Sequence, residues 1–267
     1  MPLLVLVTLF ACSPESQAPM EPDVVTEDVT YEVDGVSLRG YIAYDQNVEG
    51  ERPGVIVVHE WWGHNDYARM RAEMLAELGY TAMALDMYGD GKIADHPNEA
   101  GAFVGEIAQN IELSEKRFAA ALELLKQQDT TDPERIAAIG YCFGGSVVLH
   151  EARIGTDLDA VVGFHAGLDA FVKAEPGSVT AKVQVNNGAA DPMIPAESVE
   201  AFKAEMEALG ADWEYYSYEG ALHSFTNPAA DSIAELFGMP VGYDAAADSA
   251  SWEAMQRLFD EVFSEAM

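Results

Sequence analysis

Basic residues are scarce in this chain: Lys and Arg total 14 of 267 residues against 46 Asp and Glu, a formal net charge of −32. Such a charge repels phosphate backbones and anionic headgroups, which excludes nucleic acid and acidic membrane faces as partners. Cysteine is scarcer still, with Cys12 and Cys142 alone, too few for a disulfide framework. No apolar run reaches the roughly 20 residues that a membrane-crossing helix needs. The six His residues are scattered without an H-E-x-x-H pair, and no Asp/Glu/His group has ligand spacing, so no metal is expected. A dinucleotide fingerprint, an internal repeat and a second domain are also missing, and no cofactor is expected. What is present is a hydrophobic share of 49%, enough for one large single-core domain.

The acids are spread along the chain, as in Glu197, Glu200, Glu205 and Glu207, and read as a solvated surface suited to high salt. Strand-like and helix-like segments alternate. Val29–Val33 and Val36–Tyr44 flank the turn pair Asp34-Gly35 and predict a leading antiparallel hairpin. Gly54–Val58 is a near-continuous apolar run, as in a strand buried on both faces. Helical spacing marks Asn65–Leu78, Phe118–Leu125, Pro195–Leu209 and Ser251–Phe263. The stretch Asn227–Ala250 is turn-rich and is expected to cross near the site as a loop. The fold class is therefore α/β, a mostly parallel central sheet flanked by helices.

The sharpest local signal is Gly140-Tyr141-Cys142-Phe143-Gly144-Gly145, between the strand-like Arg135–Ile139 and the helix-like Ser146–Ala152. A nucleophile elbow needs this: a strained strand-to-helix turn, small neighbours that let backbones pass, and a helix N-terminus that favours a thiolate. Downstream, Lys182–Asn186 runs into Gly188-Ala189-Ala190-Asp191, and Trp213–Tyr218 runs into Gly220-Ala221-Leu222-His223. Both candidates thus follow the carboxyl ends of strands, where open α/β sheets gather active-site groups. The order nucleophile, acid, His is that of the α/β-hydrolase fold.

With His59-Glu60-Trp61-Trp62-Gly63 after the apolar strand and His223-Ser224-Phe225, the chain resembles the dienelactone hydrolase family over about residues 30 to 265. The resemblance implies Cys142 as nucleophile, His223 as general base and then acid, and Asp191 as its orienter. It implies the amides of Trp61 and Phe143 as oxyanion donors and Glu60 as a carboxylate that meets the resting thiol. Tyr88 matches a family tyrosine near the site, and Trp61, Trp62, Phe143 and Phe225 are expected to line an aromatic pocket. Family members acting on carboxylated lactones hold the carboxylate with two arginines; here Asp86–Lys92 and His223–Pro228 contain none. A small neutral ester or lactone is the expected substrate.

The N-terminus, Leu3 to Phe10 followed by Ala11-Cys12, is similar to a bacterial lipoprotein signal. The expected organisation is a signal over 1–11, a Pro-rich tether over 12–27 and the hydrolase domain over 28–267. Lipid on Cys12 would be the one membrane contact of an exported, periplasmic protein; the sequence leaves monomer and dimer open. The expected activity is cysteine-dependent hydrolysis of esters or lactones through an acyl-thioester. The alternative is a catalytically idle α/β-hydrolase-fold lipoprotein that binds or assembles; alkylation of Cys142 together with ester turnover separates the two.

Overall fold

The computed structural model describes residues 21–264. Cys12, the signal and most of the tether lie outside the described residues. The first strand, β1 (Val24–Val33), starts inside the stretch expected as tether, so the folded domain begins before residue 28. It pairs in antiparallel fashion with β2 (Val36–Asp45) through all ten positions, closing at Asp34-Gly35, both of which have positive φ. β2 then lies antiparallel on β4 (Thr81–Leu85).

The rest of the sheet is parallel: β3 (Arg52–Val58), β5 (Thr131–Tyr141), β6 (Ala160–Phe164), β7 (Lys182–Gly188) and β8 (Trp213–Tyr218). Strand order is β1-β2-β4-β3-β5-β6-β7-β8. This is the mostly parallel sheet with a leading hairpin that the sequence predicts. Alternation in β3 divides the core. Ile56 and Val58 join one cluster with Phe118, Val148 and Phe202, from α3 (Ile111–Lys126), α4 (Phe143–Ile154) and α5 (Ala196–Leu209). Val55 and Val57 join the other with Leu75, Phe259 and Phe263, from α1 (Asp66–Glu77) and α7 (Ala245–Ser264). A strand with both faces covered must be apolar at every position, which explains the unbroken run.

Two helices stand where none was expected. α2 (Pro97–Ala108) precedes α3, and α6 (Ala230–Phe237) with the first turns of α7 replaces most of the loop expected over Asn227–Ala250. Both additions border the site.

Candidate active site

Four strand ends meet at one rim of the sheet: β3 supplies residues 59–63, β5 supplies Cys142, β7 supplies Asp191 and β8 supplies His223. Cys142 is half-buried, with a φ of 54° and a ψ of −114°, a conformation costly for a residue with a Cβ. The turn is tight because α4 starts against the sheet. A Cβ at Gly140 would strike the Gly144 carbonyl, and one at Gly144 would strike the backbone of Val58 and His59. Only glycine permits either approach. The strained turn projects the thiol beyond the strand end while the helix N-terminus begins under it.

Asp191 and His223 form one unit. Asp191 Oδ1 accepts the Met193 N–H at 2.8 Å, and Oδ2 accepts from His223 Nδ1 at 2.8 Å. The carboxylate is thereby oriented, and it fixes the ring so that Nε2 carries the free lone pair. Nε2 has no hydrogen-bond partner among the described residues, and His223 and Cys142 line the same cavity. Burial alone would push the imidazole down; the charge of the Cys142 sulfur and the Asp191 bond outweigh it and raise it to about 10. The site therefore favours a protonated ring once the thiol has ionised.

The loop after β3 is held by His59. Its Nε2 accepts the Met87 N–H at 3.2 Å, so its proton is on Nδ1, which donates to the Glu60 carbonyl at 2.5 Å. The Gly63 N–H reaches the same carbonyl at 3.2 Å. That carbonyl belongs to the peptide whose N–H is Trp61, so two donors fix the plane of the expected oxyanion amide. Tyr88 fixes the next peptide, its hydroxyl donating to the Trp61 carbonyl at 3.0 Å. Neither the Trp61 nor the Phe143 amide meets a protein acceptor among the described residues.

Glu60 has partners other than the thiol. Its Oε1 accepts from Ser224 Oγ at 2.8 Å and its Oε2 from Asn227 Nδ2 at 2.6 Å. Burial raises this carboxyl against the pull of those two bonds. The Glu60 side chain thus ties the β3 loop to the His223 loop. Ser224 and Asn227 are site residues that sequence reasoning missed, as is His59; the repeated polar positions after His223 were the available signal. His165 is another: its ring packs edge-on against His223 at 5.1 Å, and its Nε2 meets Thr226 Oγ1 at 2.8 Å.

The expected pocket residues divide. Trp61 and Phe143 line a cavity of about 300 Å³ with Cys142 and His223, and Trp62 lines a smaller one of about 80 Å³ on the same pair. Tyr88 is buried and stacks on Phe143, acting through the Trp61 carbonyl rather than as a wall. Phe225 is fully buried against Tyr218 and His165 and lines neither cavity, which corrects its expected place in the pocket. Ser224, at a φ of 56°, turns the backbone between His223 and Phe225 and sends the phenyl ring into the core. Neither cavity is lined by Asp, Glu, Lys or Arg.

A mostly parallel sheet carrying a thiol on a strained elbow after β5, a carboxylate after β7 and a histidine after β8 defines an α/β-hydrolase. The dienelactone hydrolase family model matches residues 38–263, and the chain belongs to that family; it is a hydrolase of ester bonds. It is similar to a dienelactone hydrolase-like promiscuous phosphotriesterase from metagenomic libraries, at 36% identity and a TM-score of 0.85, covering 90% of this chain and 98% of that one. A solved structure named m3DLH is 37% identical with a TM-score of 0.83, over 90% and 98% of the two chains. The protein usf of Aquifex pyrophilus is 28% identical over 241 residues, 88% of this chain and 98% of that protein.

Proposed function

We propose that this hydrolase cleaves uncharged carboxylic esters or lactones with Cys142 as its nucleophile. His223 Nε2 takes the thiol proton and the sulfur attacks the carbonyl carbon. The Trp61 and Phe143 amides receive the oxyanion; removal of such a donor costs about 2.7–4 kcal/mol in known cases. Collapse forms the acyl-thioester as His223 passes its proton to the departing alkoxide. Water, deprotonated by His223, then adds to the thioester, releasing the acid and restoring the thiol. Asp191 keeps the ring in the one tautomer and orientation that can do this.

The observation carrying this reading is the His223 ring, bound to Asp191 on one edge and unpaired on the other beside a strained Cys142. Mass spectrometry of enzyme quenched during turnover of vinyl butyrate tests it, with a butyryl adduct expected on Cys142. Cys142→Ala and His223→Ala should each lower kcat by roughly 10³-fold or more, and Asp191→Asn by about 10²-fold or more, with melting temperatures little changed. Most of the activity surviving in Cys142→Ala would overturn the assignment.

A second reading concerns phosphotriesters, favoured by the 36% identity to a promiscuous phosphotriesterase. The same thiolate and the same two amides would face a phosphoryl group in place of a carbonyl, and paraoxon turnover tests it. For location we propose an exported lipoprotein, on the strength of Leu9-Phe10-Ala11-Cys12. Palmitate labelling of the full chain, abolished in Cys12→Ala, is the expected outcome.

A further inference from the structure

Two separate apolar chambers open from the same catalytic pair. Trp61, Cys142, Met193 and His223 line both, so the reacting atoms sit at the junction. The larger, about 300 Å³, runs past Phe143 and Val147 of α4 to Val104 and Ile107 of α2. The smaller, about 80 Å³, lies along the His223 loop, bounded by Ser224, Trp62, Ile233, Met239 and Val241. We infer that the larger chamber receives the acyl half of the substrate and the smaller one the alkoxy half, so that the enzyme selects esters of bulky apolar acids with small alcohols. This rests on the ester-hydrolase reading above and deepens it.

The assignment of halves follows from where the proton must go. The leaving oxygen is protonated by His223, so the alkoxy group lies on the histidine side of the junction. The chamber containing Ser224 and walled by the segment beyond α6 is on that side. The acyl carbon is bonded to sulfur in the intermediate, with its oxygen on the Phe143 amide. Its chain therefore extends past the first turn of α4, into the chamber that Phe143 and Val147 line. Size then sets the class. The chamber of about 300 Å³ offers nearly four times the room of the one of about 80 Å³. A short alkoxy group, about one to three carbons, suits the smaller and a longer acyl chain, about six to eight carbons, or an arylalkanoyl group, the larger. With no Asp, Glu, Lys or Arg on either wall to pair with a substrate charge, both halves must be neutral.

Two series of esters test the inference on the whole enzyme: methyl esters of straight-chain acids from acetate to decanoate, and octanoates of alcohols from methanol to octanol. Acid release should rise with each added acyl methylene, by up to about fourfold per step in kcat/KM, until the chamber is full. It should fall by about tenfold or more once the alcohol exceeds propanol. Val104→Trp, at a half-buried position on α2, should move the acyl optimum to shorter acids, and Met239→Ala should extend the tolerated alcohol. Should Val104→Trp misfold, the Met239→Ala shift decides alone. Faster hydrolysis of octyl acetate than of methyl octanoate, or profiles flat in both series, would overturn the assignment while leaving the ester-hydrolase reading intact. No hydrolysis of any ester in either series would overturn that reading and this inference with it.

Discussion

His59 donates its Nδ1 proton to the carbonyl of the residue that follows it, Glu60, at 2.5 Å. A fully buried histidine is thereby spent on holding one peptide plane, the plane that carries the Trp61 amide. Burial pushes its imidazole down, so the ring stays neutral and keeps one donor and one acceptor edge for its two partners. Three motif positions in a row thus share one task, presenting a backbone donor at the β3 end.

His59→Leu keeps the apolar bulk and removes both bonds. The Glu60 carbonyl keeps only the Gly63 N–H, and the Met87 N–H is left buried without an acceptor. The expected result is a kcat lower by about 10- to 100-fold with KM changed far less, because a transition-state donor has been loosened. Iodoacetamide labelling of Cys142 at the normal rate would show that the nucleophile itself is untouched. A rise in KM at unchanged kcat would argue that the loop binds substrate instead.

The His223 imidazole is raised to about 10. A group bound more tightly to its proton in the folded chain stabilises the fold below its ordinary value near 6.5, and the gain is lost as pH climbs through about 10. Melting temperature should therefore fall between pH 7 and 10 in the wild-type enzyme. The fall should be smaller in Cys142→Ala, which lacks the sulfur charge that holds the proton. Asp191→Asn should move the transition toward neutral pH. Identical melting profiles for the three proteins would contradict this account.

Substrate charge gives a further test. Among the described residues two arginines that neighbour the motifs in sequence are engaged elsewhere: Arg69 pairs with Asp28 at 3.1 Å, and Arg153 with Glu205 at 2.8 Å. Neither lines a chamber at Cys142 and His223. A lactone bearing a carboxylate should show a kcat/KM at least about tenfold below that of its methyl ester, since burying an unpaired anion is costly. The difference should persist at moderate salt, where long-range repulsion by the −32 net charge is screened.

How much of this was legible in the sequence depended on how strongly each segment repeats. β8 matches its expected bounds, Trp213–Tyr218, and α5 follows Pro195 as expected. The three candidate catalytic side chains were legible because each follows a strongly patterned strand. α2 was not, since its Gly101 and Gly105 and its largely exposed surface, with Ala100 and Ile107 its buried residues, erase the apolar period. Eight-residue α6 lies between turn residues and gives too short a window to show a period. β1 reaches back to Val24 through an acidic, mostly exposed edge, where side chains carry little signal. Glu60, Ser224 and Asn227 meet across 164 and 167 residues of chain, a proximity that no local pattern encodes.

Raising the salt concentration should stabilise the fold. With 46 acids against 14 bases, self-repulsion is the dominant surface term, and screening relieves it over the first few hundred millimolar or so. The melting temperature should rise by several degrees across that range and then level off. A flat response would show that the acidic excess is already balanced locally.

His223 is fastened from behind. Val241 bridges to His223, and the Gly242 N–H donates to the His223 carbonyl at 3.1 Å. Those residues come after every other site residue in the chain, and chains are made from the N-terminus. During synthesis the thiol at position 142 is therefore completed about a hundred residues before its base can be locked in place. The station of His223 thus depends on chain that follows it, and the pairing with the thiol is complete only when the last stretch closes over the loop.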